Sequence, residues 1–397
     1  MSQLYQRARE IQPELAALRR ALHQQPEPAM REFRTAERIE AELDACGIFH
    51  RRVGQTGVLG ILRGGQSGQG AVALRADIDA LPIQETNEIP YRSQTDGMMH
   101  ACGHDAHTAC LLGGAKLLAE RRETWGGEVR LLFQPGEEVG LGAFDFIDDG
   151  VLEGVQRVFG LHTAHEIPSG TVSLTPGLNN AAVDHFRILI HGKAAHVSTP
   201  QLGADALYVA SHIVVALQAL VTRRTSPVEP VIVGVGKLQA GTTYNALAET
   251  AELEGTTRTI TQETREQLRA EIDRIAGQLS ALYGATAEVV WNGICSALYN
   301  DAQVCNEAFQ ACRELMPGVR LIDNRPFSLG GDNFAEFNRV VPGAYAYLGT
   351  GNPALPGTLN PAHNGNFDID ENTLPIGATL YAGYALWWLG HEREPQL

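Results

Sequence analysis

The run Met99-His100-Ala101-Cys102-Gly103-His104-Asp105-Ala106-His107 is the densest group of chemically capable side chains in the sequence. Cys102 and His104 flank a glycine just ahead of a helical pattern, so a sulfur and an imidazole can aim at one point. Borderline cations such as zinc accept both. Asp105 is placed to cap the following helix and hold the turn rigid. Alone, a Cys-x-His run is more simply explained as a helix-start histidine beside a buried structural cysteine. Glu137-Glu138 shifts that balance. Adjacent carboxylates repel unless a cation or a shared proton neutralises them. At a strand end neighbouring side chains diverge, leaving one free to bind metal while the other faces a substrate. Such a free carboxylate can take a proton from an activated water and pass it to a leaving group. By itself the pair is more plainly a solvated acidic loop. His162 and His363 are each, singly, histidines of the kind usually satisfied by local contacts. The joint set carries the argument: Cys102, His104, Glu138, His162 and His363 make five donors, more than one tetrahedral zinc normally takes. Five donors and a shared water suit two divalent cations about 3.5–4 Å apart.

Elements must bring these residues together. Ala71–Leu74 runs into Arg75-Ala76-Asp77, Val129–Phe133 into Gln134-Pro135-Gly136-Glu137-Glu138, and Val158–Leu161 into His162. Each is a short apolar strand ending in polar residues. In open α/β sheets sites gather beyond the carboxyl ends of strands, so three such ends point to one crevice. A helical pattern over about 106–121 makes the first two a βαβ crossover. Upstream, Leu4, Ala8, Ile11, Leu15, Leu18 and Leu22 keep the spacing of one helix, and a second helix is expected from about Glu32 to Ala45. The Gly64–Gly70 stretch reads as a hairpin or loop. The segment 182–293 changes rhythm: strand 186–190, helix 204–222, strands 231–236 and 250–258, helix 261–283, strand 286–291. That β-α-β-β-α-β order is the split βαβ pattern of a ferredoxin-like domain. It reads as an insertion into one larger α/β domain made of 1–181 and 294–397, which also holds a strand at 344–348 and a terminal helix over 374–389.

The 397 residues are 44% hydrophobic and 19% charged, an ordinary globular composition. With 31 basic and 46 acidic side chains the formal charge is −15, which argues against nucleic acid or an anionic membrane as partner. The N-terminus lacks the apolar core of a signal peptide, and no uninterrupted apolar run reaches the ~18 residues of a membrane span. Six cysteines without a CxxC pair fit a reducing compartment, so a cytoplasmic location is expected.

Five strings now converge: RADIDALPIQE (Arg75–Glu85), MHACGHDAHT (Met99–Thr108), FQPGEE (Phe133–Glu138), GLH (Gly160–His162) and HNGNFDIDE (His363–Glu371). Together they resemble the M20 metallopeptidase family, and within it the amidohydrolase branch, subfamily D. That branch includes hippurate hydrolases, N-acyl-amino-acid amidohydrolases and auxin-conjugate amidohydrolases. The resemblance runs from LHQQPEP (Leu22–Pro28) almost to the C-terminus. It implies a catalytic mixed-sheet α/β domain of the zinc-exopeptidase type, interrupted by a ferredoxin-like lid through which members commonly form homodimers. It implies metal ligands at Cys102, His104, Glu138, His162 and His363, with Glu137 as general base. His196, in Lys193-Ala194-Ala195-His196, resembles a lid histidine that stabilises the oxyanion, often across the dimer. Asn245 and Arg258 would help hold a substrate carboxylate, for which an arginine fork is suited.

The chain also departs from the family. Asn245-Ala246-Leu247-Ala248 stands where many relatives have NVIP, and Gly331-Asp332-Asn333-Phe334 where they have SEDF. Phe146 replaces a frequent Met and is expected to reshape the acyl pocket, and Arg75 occupies the place of a metal-binding His in other branches. The implied reaction is metal-dependent cleavage of an N-acyl amino acid, a related conjugate or a small peptide to a carboxylate and a free amino acid. It uses two divalent ions (Zn, Mn, Co or Ni) per subunit. Two other accounts compete: an amide hydrolase using Cys102 as nucleophile with His104 or His107 as base, and a non-catalytic binding protein on the same fold.

Overall fold

The computed structural model describes residues 2–391; the outermost parts of the expected ranges, residues 1 and 392–397, lie outside them. The chain divides into two compact units. One takes the chain up to Asn179, Tyr299–Pro326 and the chain from Asn333 onward; the other takes Asn180–Leu298 and Phe327–Asp332. In chain order the strands are β1 (Phe49–Val53), β2 (Gly57–Arg63), β3 (Gln66–Asp77), β4 (Gly126–Gln134), β5 (Arg157–Pro168), β6 (Thr171–Ser173), β7 (Gly177–Asn180), β8 (Ala182–His191), β9 (Ile232–Ala240), β10 (Thr250–Thr259), β11 (Thr286–Cys295), β12 (Leu298–Asn300), β13 (Arg320–Ile322) and β14 (Gly343–Gly351). The α-helices are α1 (Gln3–Glu10), α2 (Gln12–Gln24), α3 (Phe33–Ala45), α4 (His104–Ala119), α5 (Gly142–Asp148), α6 (Ala206–Ala219), α7 (Gln262–Leu282), α8 (Ala302–Leu315), α9 (Phe334–Asn338) and α10 (Leu374–His391).

The first unit is built on a mixed sheet of order β1-β2-β4-β3-β5-β14-β6-β13. β3 lies parallel to both neighbours, with Val72 opposite Val129 of β4 and Arg157 of β5. β14 continues parallel on β5, while β1, β2 and β4 pair antiparallel. These central strands are covered on both faces, which is why they read as unbroken apolar runs. α4 supplies the crossover between β3 and β4 and is buried along almost its whole length. It packs against α10: a Cβ added at Gly114 would lie 2.9 Å from Tyr381 Cβ, so the approach requires glycine there.

Three local expectations change. The N-terminal periodic run is two helices, broken at Ile11, because Pro13 lacks an N–H and fits only in the first turn of a new helix. The 64–70 stretch is not a hairpin. β4 lies between β2 and β3, and Gln66–Gly70 is already strand. His162 does not end its strand, since β5 continues to Pro168; it is the neighbour β3 that stops, its pairing with β5 ending at Arg75–Gly160.

In the second unit β8, α6, β9, β10, α7 and β11 follow in sequence, and the antiparallel sheet order is β11-β8-β10-β9. This is a ferredoxin-like α+β arrangement. Phe186, Ile188 and Ile190 of β8 meet Val209, Ile213 and Leu217 of α6 and Leu268 and Ile272 of α7 in one core. Arg265 on α7 holds Asp184 of β8 with two hydrogen bonds of 2.8 and 2.7 Å. Ala206–Arg224 is long and apolar enough by composition to cross a membrane. One side of it fills this core, while Leu207, Tyr208 and Val215 are exposed.

Candidate metal centre

In the first unit, the ends of β3 and β4, the middle of β5, the turn before α4 and the loop at 363 meet. Cys102, Gly103 and His104 make the turn. Gly103 adopts φ 91°, a left-handed conformation, and an added Cβ would collide with Thr163 Oγ1. Asp105 is not the cap expected of it: Gly103 takes that position without a side-chain bond. Instead the Asp105 carboxylate is fully buried against Arg19 and His23, at 2.7 Å from each. His363 is held at φ 63°, unusual for a residue with a side chain, and its N–H donates to the Ala101 carbonyl at 2.8 Å.

The six residues expected to act in this unit come together. Ligand-capable atoms of Cys102, His104 and His162 lie within 4.8 Å of one another, as do those of Cys102, Glu138 and His363 and those of His104, Glu137 and Glu138. Cys102 Sγ is 3.4 Å from His162 Nε2, and Glu138 Oε1 is 3.3 Å from His363 Nε2 and 3.9 Å from His104 Nε2. The backbone orients the imidazoles. His162 Nδ1 donates to the Thr163 carbonyl at 2.6 Å, and His104 Nδ1 to the Asp79 carbonyl at 3.0 Å. A carbonyl only accepts, so each Nδ1 carries the proton and each Nε2 presents a lone pair to the centre. Yet His104 Nε2 and Glu138 Oε1 are buried and make no hydrogen bond among the described residues. Two orphaned donor atoms amid sulfur, imidazole and carboxylate are what a divalent cation would satisfy, so the residues fit the group.

The electrostatics differ from group to group. Burial, with His107 close by, holds the His162 imidazole well below its ordinary basicity, so it is neutral and ready to ligate. Burial opposes protonation of His104, but Asp77 and Asp79 outweigh it and raise its basicity. Burial and the Glu138 carboxylate push the Cys102 thiol well above the ordinary range. A thiol so placed is protonated at neutral pH, which weighs against Cys102 as an unaided nucleophile.

Asp77, Asp79 and His107 were less legible as supports. Asp77 is buried and bridges Arg75 at 2.7 Å and His107 at 2.6 Å, and His107 Nε2 accepts the Thr163 N–H at 2.9 Å. Their signal was the alternation Arg75-x-Asp77-x-Asp79 running off a buried strand. Arg75 turns to Asp77, Gln134 and Asn333, with Asn333 Oδ1 accepting from Arg75 at 3.0 Å and from Gln134 at 2.9 Å. The Asn333 N–H in turn donates to Glu137 Oε1 at 3.2 Å. Phe146 is fully buried, edge-on to Phe337, so it is a core residue rather than part of an acyl pocket.

His196, Asn245 and Arg258 belong to the second unit. His196 and Asn245 lie in adjoining exposed segments: Val197 N–H donates to the Asn245 carbonyl at 3.2 Å, and His196 Nδ1 is 2.7 Å from Ser198 Oγ. Arg258, on β10, is half-buried and has no carboxylate partner among the described residues.

Residues 73–387 match the model of peptidase family M20/M25/M40. The chain is 40% identical over 378 residues to the N-acetyl-L-cysteine deacetylase of Bacillus subtilis (strain 168), covering 95% of this chain and 87% of that one. It is 35% identical over 383 residues to thermostable carboxypeptidase 2 of Saccharolobus solfataricus, covering 95% and 96%. The crystal structure of the Bacillus subtilis YXEP protein, a dinuclear metal binding peptidase from the M20 family, superposes with a TM-score of 0.80 at 35% identity, over 96% of this chain and 99% of that one. With this motif set and this fold, the chain belongs to peptidase family M20/M25/M40, in its amidohydrolase branch.

Proposed function

We propose that the protein hydrolyses the amide bond of N-acyl amino acids, or of related amino-acid conjugates and small peptides, releasing a carboxylate and a free amino acid. The observation that carries this reading is the pair of orphaned atoms, His104 Nε2 and Glu138 Oε1, enclosed by the other donors. Cys102, His104, Glu138, His162 and His363 would hold two divalent cations, drawn from zinc, manganese, cobalt or nickel. Such ions supply Lewis acidity, acidifying water towards neutrality and polarising a carbonyl. Glu137 takes the water's proton at its carboxylate and returns it to the departing nitrogen, steadied by the Asn333 amide. From the second unit, His196 stabilises the oxyanion, an effect of roughly a few kcal/mol per donor. Asn245 and Arg258 hold the substrate carboxylate, and a guanidinium at Arg258 with no carboxylate partner among the described residues favours that role. The protein works as a homodimer joined through the second unit, in the cytoplasm.

Two relatives support the substrate class, an N-acetyl-L-cysteine deacetylase and a carboxypeptidase, both named for releasing an amino acid or an acyl group from one. The test is amino-acid release from N-acetyl, N-succinyl and N-benzoyl substrates by protein reconstituted with each ion. Glu137→Gln should keep the metal content and lower turnover by several orders of magnitude; near-normal turnover rejects the role of Glu137. No release from any substrate with any ion would favour the non-catalytic account.

A further inference from the structure

We propose that Arg19 is a positioning residue for the cation site, tying the turn that carries Cys102 and His104 to the loop that carries His363. This rests on the ligand assignment above. Arg19 lies on α2, outside the donor set, and its side chain is completely buried. Its guanidinium spans two segments that are far apart in the chain. Nε donates to Asp105 Oδ2 at 2.7 Å, next to His104, while Nη1 donates to Asp368 Oδ1 at 2.9 Å and reaches Glu371 Oε1 at 3.4 Å, both on the segment after His363. One turn along α2, His23 shares Asp105 Oδ2 at 2.7 Å and reaches Glu85 Oε1 at 3.2 Å.

Neutralising Asp105 alone needs only a compact cation. A planar fork reaching a second segment does more: it sets the distance between two strings that each bring a donor. The other direct bond between turn and loop runs from the His363 N–H to the Ala101 carbonyl, while the loop is held from other sides by the Thr86 N–H on the Gly365 carbonyl at 2.8 Å, Asn87 on the Phe367 carbonyl at 2.9 Å and the Tyr91 hydroxyl on Asp368 at 2.8 Å. Arg19 adds a second tie between this turn and this loop, through Asp105 on one side and Asp368 on the other. A lysine at 19 retains the charge and can pair with Asp105, but it cannot hold both carboxylates in a fixed plane. The reading in which Arg19 only balances charge and the reading in which it positions the donors therefore diverge for Arg19→Lys.

The experiment uses the metal-stripped full chain titrated with Co²⁺ alone, following the thiolate-to-cobalt absorption band and competition with a chelator. Circular dichroism and thermal unfolding of the metal-free forms report the fold. Arg19→Lys should fold, with cobalt affinity at least tenfold weaker than the parent and with the band recovered at high Co²⁺. Parental affinity in a folded Arg19→Lys protein overturns the proposal. If Arg19→Lys fails to fold, Asp368→Ala removes the 2.9 Å acceptor at the other end of the span and leaves the Arg19–Asp105 pair intact. The same loss is expected of it, and parental affinity again overturns the proposal. Cys102→Ser in the parent separates the two levels. If it leaves the parent's cobalt spectrum unchanged, the ligand assignment fails; if it removes the band while Arg19→Lys binds normally, only the role of Arg19 fails.

Discussion

At Glu137 and Glu138 the backbone leaves β4 through Pro135 and Gly136 and makes a single 3-10 turn over Glu137–Val139. Its first side chain meets the Asn333 amide, and its second meets the imidazoles of His104 and His363. Neighbours in the chain thus acquire different surroundings, which is how one carboxylate can bind a cation while the other handles protons. The donors themselves were legible as a joint set of ligand-type side chains, with Cys102 and His104 in one tight turn, Glu138 after a strand, His162 on an apolar strand and His363 in a loop. Gly103 is the residue on which that turn depends. Gly103→Ala places a Cβ against Thr163 Oγ1 at a left-handed φ. It should cost about 1–3 kcal/mol of stability and reduce bound metal below the parental stoichiometry. Elemental analysis alongside thermal unfolding checks both, and unchanged metal content would show that the turn tolerates distortion. The supports were harder to read. Arg19, His23 and Asp105 look like ordinary helix residues, because nothing in their spacing announces a partner more than eighty positions away.

Between elements, α2 is joined to the 85–93 segment by His23 and Glu85. Glu85 also accepts from the Ser93 N–H at 2.6 Å and from Asn87 at 3.1 Å. Burial opposes its ionisation, but His23, Ser93 and Asn87 outweigh that and hold its carboxyl below the ordinary range. Burial and Arg19 oppose protonation of His23, but Asp105 and Glu85 raise it. Glu85 therefore contributes stability above the ordinary carboxylate range and loses it as pH falls through that range. His23 contributes below its ordinary titration range and loses it as pH rises through its raised value. The pair is most stabilising between those limits. Glu85→Gln should unfold a few degrees lower than the parent near neutral pH, with a shallower decline on acidification from about pH 5 to pH 3. Parallel melting curves across that range would exclude the linkage. Element type was readable from periodicity, whereas the break at Ile11, the placing of β4 between β2 and β3 and the continuation of β5 past His162 were not. The first turned on one proline, and the other two on strand pairing, which leaves no trace in local spacing.

Over the whole molecule, the second unit leaves Leu207, Tyr208 and Val215 of α6 exposed, a chemistry suited to covering by a second copy. If the homodimer forms there, Val215→Glu should shift sedimentation towards monomer while leaving circular dichroism unchanged; a parental sedimentation coefficient would place the contact elsewhere. The split βαβ order of this unit was legible from its six successive segments, whose four strands form one sheet. The roles of His196, Asn245 and Arg258 were legible only through resemblance, since a lone exposed histidine or asparagine and one strand arginine carry no chemistry by spacing.

The strand order of the first unit bears on how the chain is made. β14 occupies the sheet between β5 and β6, and α10 lies against α4. A ribosome must therefore deliver β14 before that sheet closes, whereas β8 to β11 of the second unit emerge as one contiguous stretch. During synthesis the inserted unit is positioned to complete its sheet first, while that of the larger unit waits for β14.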